Sequence, residues 1–576
     1  MKNISRIAII GGGPSALFMF KRFVDTGNKN VSIQIFEKNN QVGAGMPYST
    51  DGANDEHVTN VSSNEIPLLV TTIVDWIKTV HKDTLDKYHI DKNDFNEYKV
   101  LPRLLFGQYL SHQFKLLQAQ ASAAGMQFNV NYNSEVTDII DVQDQQLVTV
   151  EVNGTERYNF DAIIICSGHN WPKANEGKIK GFFDSPYPPS KLAFECNTPV
   201  AIKGSSLTAI DALRTLSRYN GDYTKDENGI LTYHLKDTST GFKLIMHSRN
   251  GLLPAVRFHL EDPHLSKNET LTPDEIQQHR EQNDGFLSLD YVFDRDFKAA
   301  FKLKRPEFYE KIKLLSIEQF VDSMMQLRES IDPFDLLKME YDEAAQSIEQ
   351  RRSVYWKEML AILSFAMNYP AKYLSAEDMM RLQKTLMPLI SVVIAFVPQS
   401  SVEEMLALHK AGLLELITVD DDSYVEPVNT GGAIYHYIDE NKKQQTIYYN
   451  TYVDCVGQPH LNYEDFPYEG LINKHTITPA RLKFRNADTG LAAMNSGNNK
   501  VETDGKGNYY LNVPGVVIND NFQTVDEYGA YNERVYIMAV PYIGGYNPDY
   551  SGLDFCEAAS KKIIESIIKD EPAISN

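Results

Sequence analysis

Six residues, Gly11-Gly12-Gly13-Pro14-Ser15-Ala16, and an acid further on, Glu37, have the types and spacing that hold a pyrophosphate on one side and a sugar on the other. Gly11 permits a tight turn, and Gly13 lets the backbone approach the anion. Ala16 takes the third small position and still allows close packing of helix on strand. Pro14 and Ser15 complete the turn, and the pyrophosphate would sit on the N-terminus of the helix that follows. Glu37 would hold an adenosine ribose by its hydroxyls. A weaker copy stands at Gly204-Ser205-Ser206-Leu207-Thr208-Ala209. Ser206 replaces its middle glycine, which makes close approach of a pyrophosphate harder, although Ser205, Ser206 and Thr208 offer hydroxyl donors. Arg249 beyond it would favour a 2′-phosphate, hence NADP over NAD.

These residues need a particular frame, and the sequence supplies it twice. Arg6 to Ile10 reads as a buried strand, Leu17 to Asp25 as a helix and Val31 to Glu37 as a second strand. The order strand, turn, helix, strand, acid is the dinucleotide-binding fingerprint in context. Val200 to Ile202, Ile210 to Ser217 and Leu244 to Arg249 repeat it. Two apolar strands run into small-residue turns, Ala162 to Gly168 and Thr451 to Gly457, with His169 just past the first. Helices are expected over Ile66–Val80, Leu104–Ala124, Phe301–Leu315, Ser316–Leu337, Tyr355–Ala366, Ala376–Val397 and Val402–Ala411, and a closing helix over Leu553–Ile568. Short strands are expected in 128–160, including a hairpin around Asn153-Gly154.

Composition narrows the function classes. A formal charge of −21 disfavours nucleic acid or an acidic lipid surface as partner. Four cysteines in 576 residues form no disulfide framework and no CxxC pair, which fits a reducing, cytoplasmic setting. The first strand starts too early to leave room for a signal peptide. The most apolar run, Leu386 to Val397, is too short for a bilayer and reads as a buried helix. The fourteen histidines show no helical HxxxH pair, so no metal site is expected. A Gly-x-Ser-x-Gly nucleophile elbow is also missing.

Two nucleotide motifs, the second entered after an apolar strand and small turn, form the layout of a two-dinucleotide flavoprotein with FAD first and the nicotinamide second. Gly11 to Ala16, Gly43-Ala44-Gly45-Met46-Pro47-Tyr48-Ser49, Gly204 to Asp211, Ser248 to Pro254 and Asp454 to Gly457 together resemble the bacterial FAD/NAD(P)-binding proteins of that superfamily. The chain is more distantly similar to flavin-containing monooxygenases and N-hydroxylases, though their glycine triplet is incomplete here and their Phe, Gly, Trp, His signature is missing.

The resemblance implies an α/β fold of two Rossmann-like dinucleotide-binding domains, the second inserted in the first, with a mostly helical insertion. The expected divisions are 1–195 and 461–576 for the FAD domain, 196–260 and 421–460 for the NAD(P)-binding-like domain, and 261–420 for the insertion. It implies FAD, with NADP or NAD as electron donor. Gly45, Tyr48 and Asn60 are then placed near the isoalloxazine. Gly168, Gly544, Gly545 and Gly552 become positional candidates, with Tyr546 and Tyr550 able to stack or hydrogen-bond there. His169 is the candidate acid or base at the domain junction, ahead of His57; Cys166, inside an apolar strand, reads as an inert thiol.

The expected activity is an FAD-dependent oxidoreductase reduced by NAD(P)H and reoxidised by oxygen or a small organic acceptor, with monooxygenation among its forms. The alternatives are an FAD enzyme reduced directly by its substrate and a non-catalytic flavin-binding module. The partner is a small molecule, with no nucleic acid and no membrane; oligomeric state is not legible.

Overall fold

In a computed structural model, residues 4–169, 171–262, 270–458, 460–549 and 552–569 are described. The strand Arg6–Ile10 is the middle of a six-stranded sheet. Its order is Gln523–Val525, Tyr531–Ile537, Ala162–Ile165, Arg6–Ile10, Ser32–Phe36, Gln127–Asn131. All neighbours pair in parallel except the first two, which are antiparallel. Ile7, Ile9 and Ile163 to Ile165 are fully buried, as a sheet covered on both faces demands. Each such isoleucine contributes about 1.5–3 kcal/mol relative to an exposed one.

A second sheet, wholly parallel, runs Leu414–Thr418, Lys243–Ser248, Pro199–Lys203, Thr451–Asp454, Phe182–Phe183. All its strands lie, in sequence, between Ala162–Ile165 and Gln523–Val525 of the first sheet. The fold is thus α/β, with two Rossmann-like sheets and a helical block.

That block runs from Pro273–Glu281 to Gln399–Lys410 and has its own apolar core around Phe293, Phe297, Phe301 and Phe320. It also buries Leu482, Val501, Leu511 and Val513 of a small antiparallel sheet, Pro479–Lys483, Val501–Thr503 and Tyr509–Val516, which sequence reading did not separate from its surroundings.

Several expected helices are shorter. Ile66–Val80 is helical only over Ile73–Ile77. Pro67 lacks an amide donor, and the N–H groups of Val70 and Thr71 go to the Gln113 side chain at 3.0 and 2.8 Å, so the helix starts after its Thr72 cap. Pro306 divides 299–312 into Ala299–Lys304 and Pro306–Ile312, and Pro333 opens a new helix, Pro333–Gln350, after Ile317–Glu329. The apolar run near 390 is the buried helix Met387–Val393. No described helix is long and apolar enough to cross a membrane.

Candidate functional site

The first glycine turn closes on its neighbours as its residue types require. Gly11 has φ +98°, and a Cβ there would stand 2.8 Å from the Cys166 carbonyl oxygen. Its N–H donates to Phe36 O at 2.8 Å, and Cys166 N–H donates to Ile10 O at 2.8 Å. The helix Pro14–Thr26 begins at once, with Pro14 at a first-turn position that needs no donor. Ala16 is fully buried, so the third small residue does serve packing.

Glu37 is held before any sugar arrives. Oε2 accepts from Gly12 N–H at 2.7 Å and Oε1 from Asn39 N–H at 2.8 Å. Each oxygen keeps a further lone pair for a hydroxyl. The residues present leave space for a pyrophosphate. A Cβ on Gly13 would come no nearer than 3.4 Å to Gly45 Cα, and at Gly168 and Gly552 it would meet nothing within 4 Å. Gly552 opens the helix Gly552–Lys569, whose Cys556 Sγ lies 3.5 Å from Ser15 Oγ, so two helix N-termini converge here.

The second turn has the same skeleton. Gly204 has φ +107°, its Cβ would stand 2.8 Å from the Cys455 carbonyl oxygen, and Cys455 N–H donates to Lys203 O at 2.8 Å. Ser206 occupies the N-cap of Leu207–Asn220 and makes no capping bond with its side chain. Ser205, expected to offer its hydroxyl to a nucleotide, instead donates it to Leu252 O at 2.9 Å. Arg249 is 77% exposed and lies 3.9 Å from Asp421.

A cavity of ≈ 330 Å³ lies beside the loop over the first turn and the start of the second fingerprint helix. Met46 and Pro47 come from the loop over the first turn, Thr208 from the second fingerprint helix, Val540, Pro541 and Asp549 from the C-terminal segment, and Arg103, His169, Trp171, Tyr187 and His460 complete its polar and aromatic walls. His169 Nδ1 meets Gln458 Oε1, and its ring lies 5.3 Å from Trp171. Desolvation lowers its pKa against the opposing Gln458 bond, and burial lowers that of His460 too, so both imidazoles favour the neutral form. Burial pushes the Asp549 carboxyl up to about 6 against the opposing bond from Ser364.

One wall is an ionic junction. Arg103 Nη1 and Nη2 reach Asp211 Oδ2 and Oδ1 at 2.5 and 3.1 Å, and Tyr187 Oη donates to Oδ2 at 2.7 Å. Burial raises the Asp211 pKa, but the charge of Arg103, the facing His57 and the Tyr187 bond outweigh it and hold it below its ordinary value. Fully buried His57 accepts Asn54 N–H on Nδ1 at 2.9 Å, which leaves Nε2–H to donate to Asp211 O at 3.1 Å. Burial lowers its pKa. His57 therefore joins the two units and does not line the cavity.

The structure gathers His169 and Thr208 at the cavity and Gly11, Gly13, Pro14, Ser15, Gly168 and Gly552 around the first turn. It gives other positions other work. Gly45 folds over that turn, where a Cβ would stand 2.8 Å from Pro14 Cδ. The Tyr48 ring packs edge-on to Phe106 at 4.8 Å, and burial pushes its hydroxyl up to about 12. Asn60 offers its carbonyl to Arg257, away from the cavity. The Cβ space of Gly544 is filled by the His460 ring, and that of Gly545 by Pro514 O at 2.3 Å. Tyr546 donates to Arg481 O at 3.1 Å; Tyr550 lies outside the described residues. Cys166 is buried, and burial raises its thiol well above the ordinary value, in keeping with an inert group. Arg103, Asp211, Tyr187, His460 and Asp549 escaped sequence reading. Arg103 after Pro102 and Asp211 inside the second motif were the only local cues.

Residues 8–170 match the family model described as FAD-NAD(P)-binding, and residues 272–394 match that of the YdhS-like middle domain. The first match covers the segment that carries the first glycine turn and ties that part of the chain to the FAD-NAD(P)-binding model. It is similar to the uncharacterized protein YdhS of Escherichia coli (strain K12), with 26% identity over 474 residues, 81% of this chain and 86% of that one. Among solved structures it resembles the bacillithiol disulfide reductase Bdr (YpdA) of Staphylococcus aureus, at 11% identity and a TM-score of 0.42, covering 99% of this chain and 100% of that one. It also resembles the FAD-bound cadaverine monooxygenase DfoA of Erwinia amylovora, at 12% and 0.45, covering 99% and 96%. Likeness at that level carries no conclusion about chemistry.

Proposed function

We propose that this chain is an FAD-dependent oxidoreductase in which NAD(P)H supplies electrons, and oxygen or a small organic acceptor removes them. Monooxygenation of a small substrate is one form of the second half-reaction. The proposed organisation is an FAD domain, 1–195 with 461–576, into which a nicotinamide-nucleotide domain, 196–260 with 421–460, is inserted; that second domain carries the 261–420 helical block between its two parts, and the strands Phe182–Phe183 and Leu414–Thr418, which pair in its sheet, extend it past those bounds. The setting proposed is the reducing cytoplasm, in keeping with four free cysteines.

One observation supports this above the rest: Met46 and Pro47 from the first fingerprint's loop and Thr208 from the second fingerprint helix line the same cavity. When bound, FAD would supply the two-electron chemistry, and the chain positions it. Gly11, Gly13, Ser15 and Gly552 would cradle its pyrophosphate, and Glu37 its ribose. The N-terminus of Leu207–Asn220 would hold the pyrophosphate of the nicotinamide nucleotide, Arg249 its 2′-phosphate. His169 lies on the shared wall, where a neutral imidazole can accept or pass a proton. The engagement of Ser205 with Leu252 favours a second reading, in which the second nucleotide unit is scaffold and the substrate itself reduces the flavin.

The test is an absorption spectrum of the purified protein across the flavin bands, followed by anaerobic mixing with NADPH and with NADH. Bleaching by either supports the first reading. A yellow protein that ignores both moves the assignment to substrate-driven reduction. A protein that takes up no added FAD overturns the proposal.

A further inference from the structure

We propose that Asp549 is the proton donor of the cavity and that the helical block, through Ser364, sets how readily it gives up its proton. The inference rests on the cavity being the place where electrons reach an acceptor.

Asp549 lines the cavity, yet its nearest partners belong to the helix Tyr355–Met367 and the residue just after it. Ser364 Oγ donates to Asp549 Oδ2, and Asn368 Oδ1 accepts Asp549 N–H at 2.7 Å. Both partners are buried, and Asn368 Nδ2 donates in turn to Ser364 O at 3.3 Å, so the pair forms a fixed seat. The titratable groups that share the cavity wall are Arg103, His169, Tyr187 and His460. The Arg103 charge is turned to Asp211, and both imidazoles favour the neutral form. Burial therefore governs Asp549 and keeps a large share of it protonated near pH 6.

When bound and reduced, FAD would supply two electrons and one proton as a hydride to the acceptor's carbonyl carbon, and the C=O electron pair would move onto the acceptor oxygen. The O–H bond of the Asp549 acid breaks as the acceptor's O–H bond forms, leaving a carboxylate. Ser364 Oγ–H already points at that carboxylate and stabilises it, and water entering the cavity returns the proton. The acceptor class is a compact organic molecule with an apolar body and a carbonyl-like oxygen, which suits walls made of Met46, Pro47, Trp171, Val540 and Pro541.

Two readouts test this. Infrared difference spectra of the protein as purified, titrated between about pH 4.5 and 7.5, follow the protonated carboxyl band. Wild type should lose a band near pH 6 that D549N lacks. S364A, which removes a bond to the charged form, should move its midpoint upward by about half a pH unit. In flavin-loaded, dithionite-reduced enzyme, the two-electron reduction of menadione to its hydroquinone, which takes up protons, should slow as pH rises through 6 and drop ~100-fold in D549N. Oxidation by ferricyanide, which takes electrons alone, should show neither effect. No D549N-sensitive band, an S364A midpoint that stays or falls, or equal losses with both oxidants would overturn the proposal. A protein that takes up no FAD instead sinks the reading on which it rests, while the infrared titration still decides whether Asp549 and Ser364 are coupled.

Discussion

Arg103 and Asp211 meet in a two-pronged ion pair across the junction of the two nucleotide units, with neither charge substantially exposed. Arg103 begins the long helix Arg103–Ala123 beside the first sheet, and Asp211 lies in the first turns of the second fingerprint helix. Removing one partner leaves the other charge buried and unpaired. Arg103→Ala should cost about 3–5 kcal/mol in denaturant unfolding. Arg103→Ala combined with Asp211→Ala should recover part of that loss, because no stranded charge remains. Strict additivity would show that the pair does not couple the units.

The same pair carries a pH signature. The folded Asp211 pKa is depressed, so its stabilisation is complete above the unfolded value of ~3.9 and disappears as pH falls through the folded value. Acid unfolding of Asp211→Asn should therefore be less steep below pH ~4 than that of wild type, read by circular dichroism.

Gly11 and Gly204 make separable predictions. Alanine at either would be strained at positive φ and would press on a carbonyl at 2.8 Å, a cost of about 1–3 kcal/mol. Gly11→Ala should lower FAD retention through gel filtration. Gly204→Ala should keep the yellow colour and lose bleaching by NAD(P)H. Full bleaching of Gly204→Ala at wild-type rates would mean that the second turn does not hold the donor.

Arg249 and Asp421 are both exposed, so their pairing adds almost nothing to stability. Arg249→Ala should leave the unfolding midpoint unchanged and raise KM for NADPH much more than for NADH. Equal effects on the two donors would end the NADP assignment.

His247 stacks on Tyr435 at 4.0 Å with Tyr437 and Tyr449 edge-on, and burial lowers its pKa to about 4. Because the folded pKa is below the unfolded one, its contribution is complete above pH ~6.5 and is lost as pH falls from there toward 4. His247→Phe should shrink the stability difference between pH 7 and 4.5 by on the order of 2 kcal/mol in urea titrations.

The nucleotide turns were legible because their constraints are local. A glycine at positive φ, a proline at a helix start and an acid after a strand each leave a mark within a few positions. The cavity was not, because Arg103, Asp211, Tyr187, His460 and Asp549 meet only through the packing of distant segments. Gly544 shows the limit well. A glycine in a loop before the last helix suggested close approach of a cofactor, whereas its missing Cβ makes room for the His460 ring. The overlong helix at 66–80 failed for a related reason, since Gln113, far along the chain, captures the amides that a helix would have used.

The central strand of the first sheet is among the earliest segments of the chain, yet its neighbour Ala162–Ile165 pairs on the other side with Tyr531–Ile537. During synthesis the first nucleotide turn can therefore assemble early, while the cavity must wait for Asp549. A chain halted within the helical block would have the Gly11 turn without Gly552 beside it, and no chamber. Any cofactor captured at that stage would be held by its phosphates, with its reactive end still open to solvent. On the proposed function, the late closing of this wall would place the onset of chemistry after the last segments have folded.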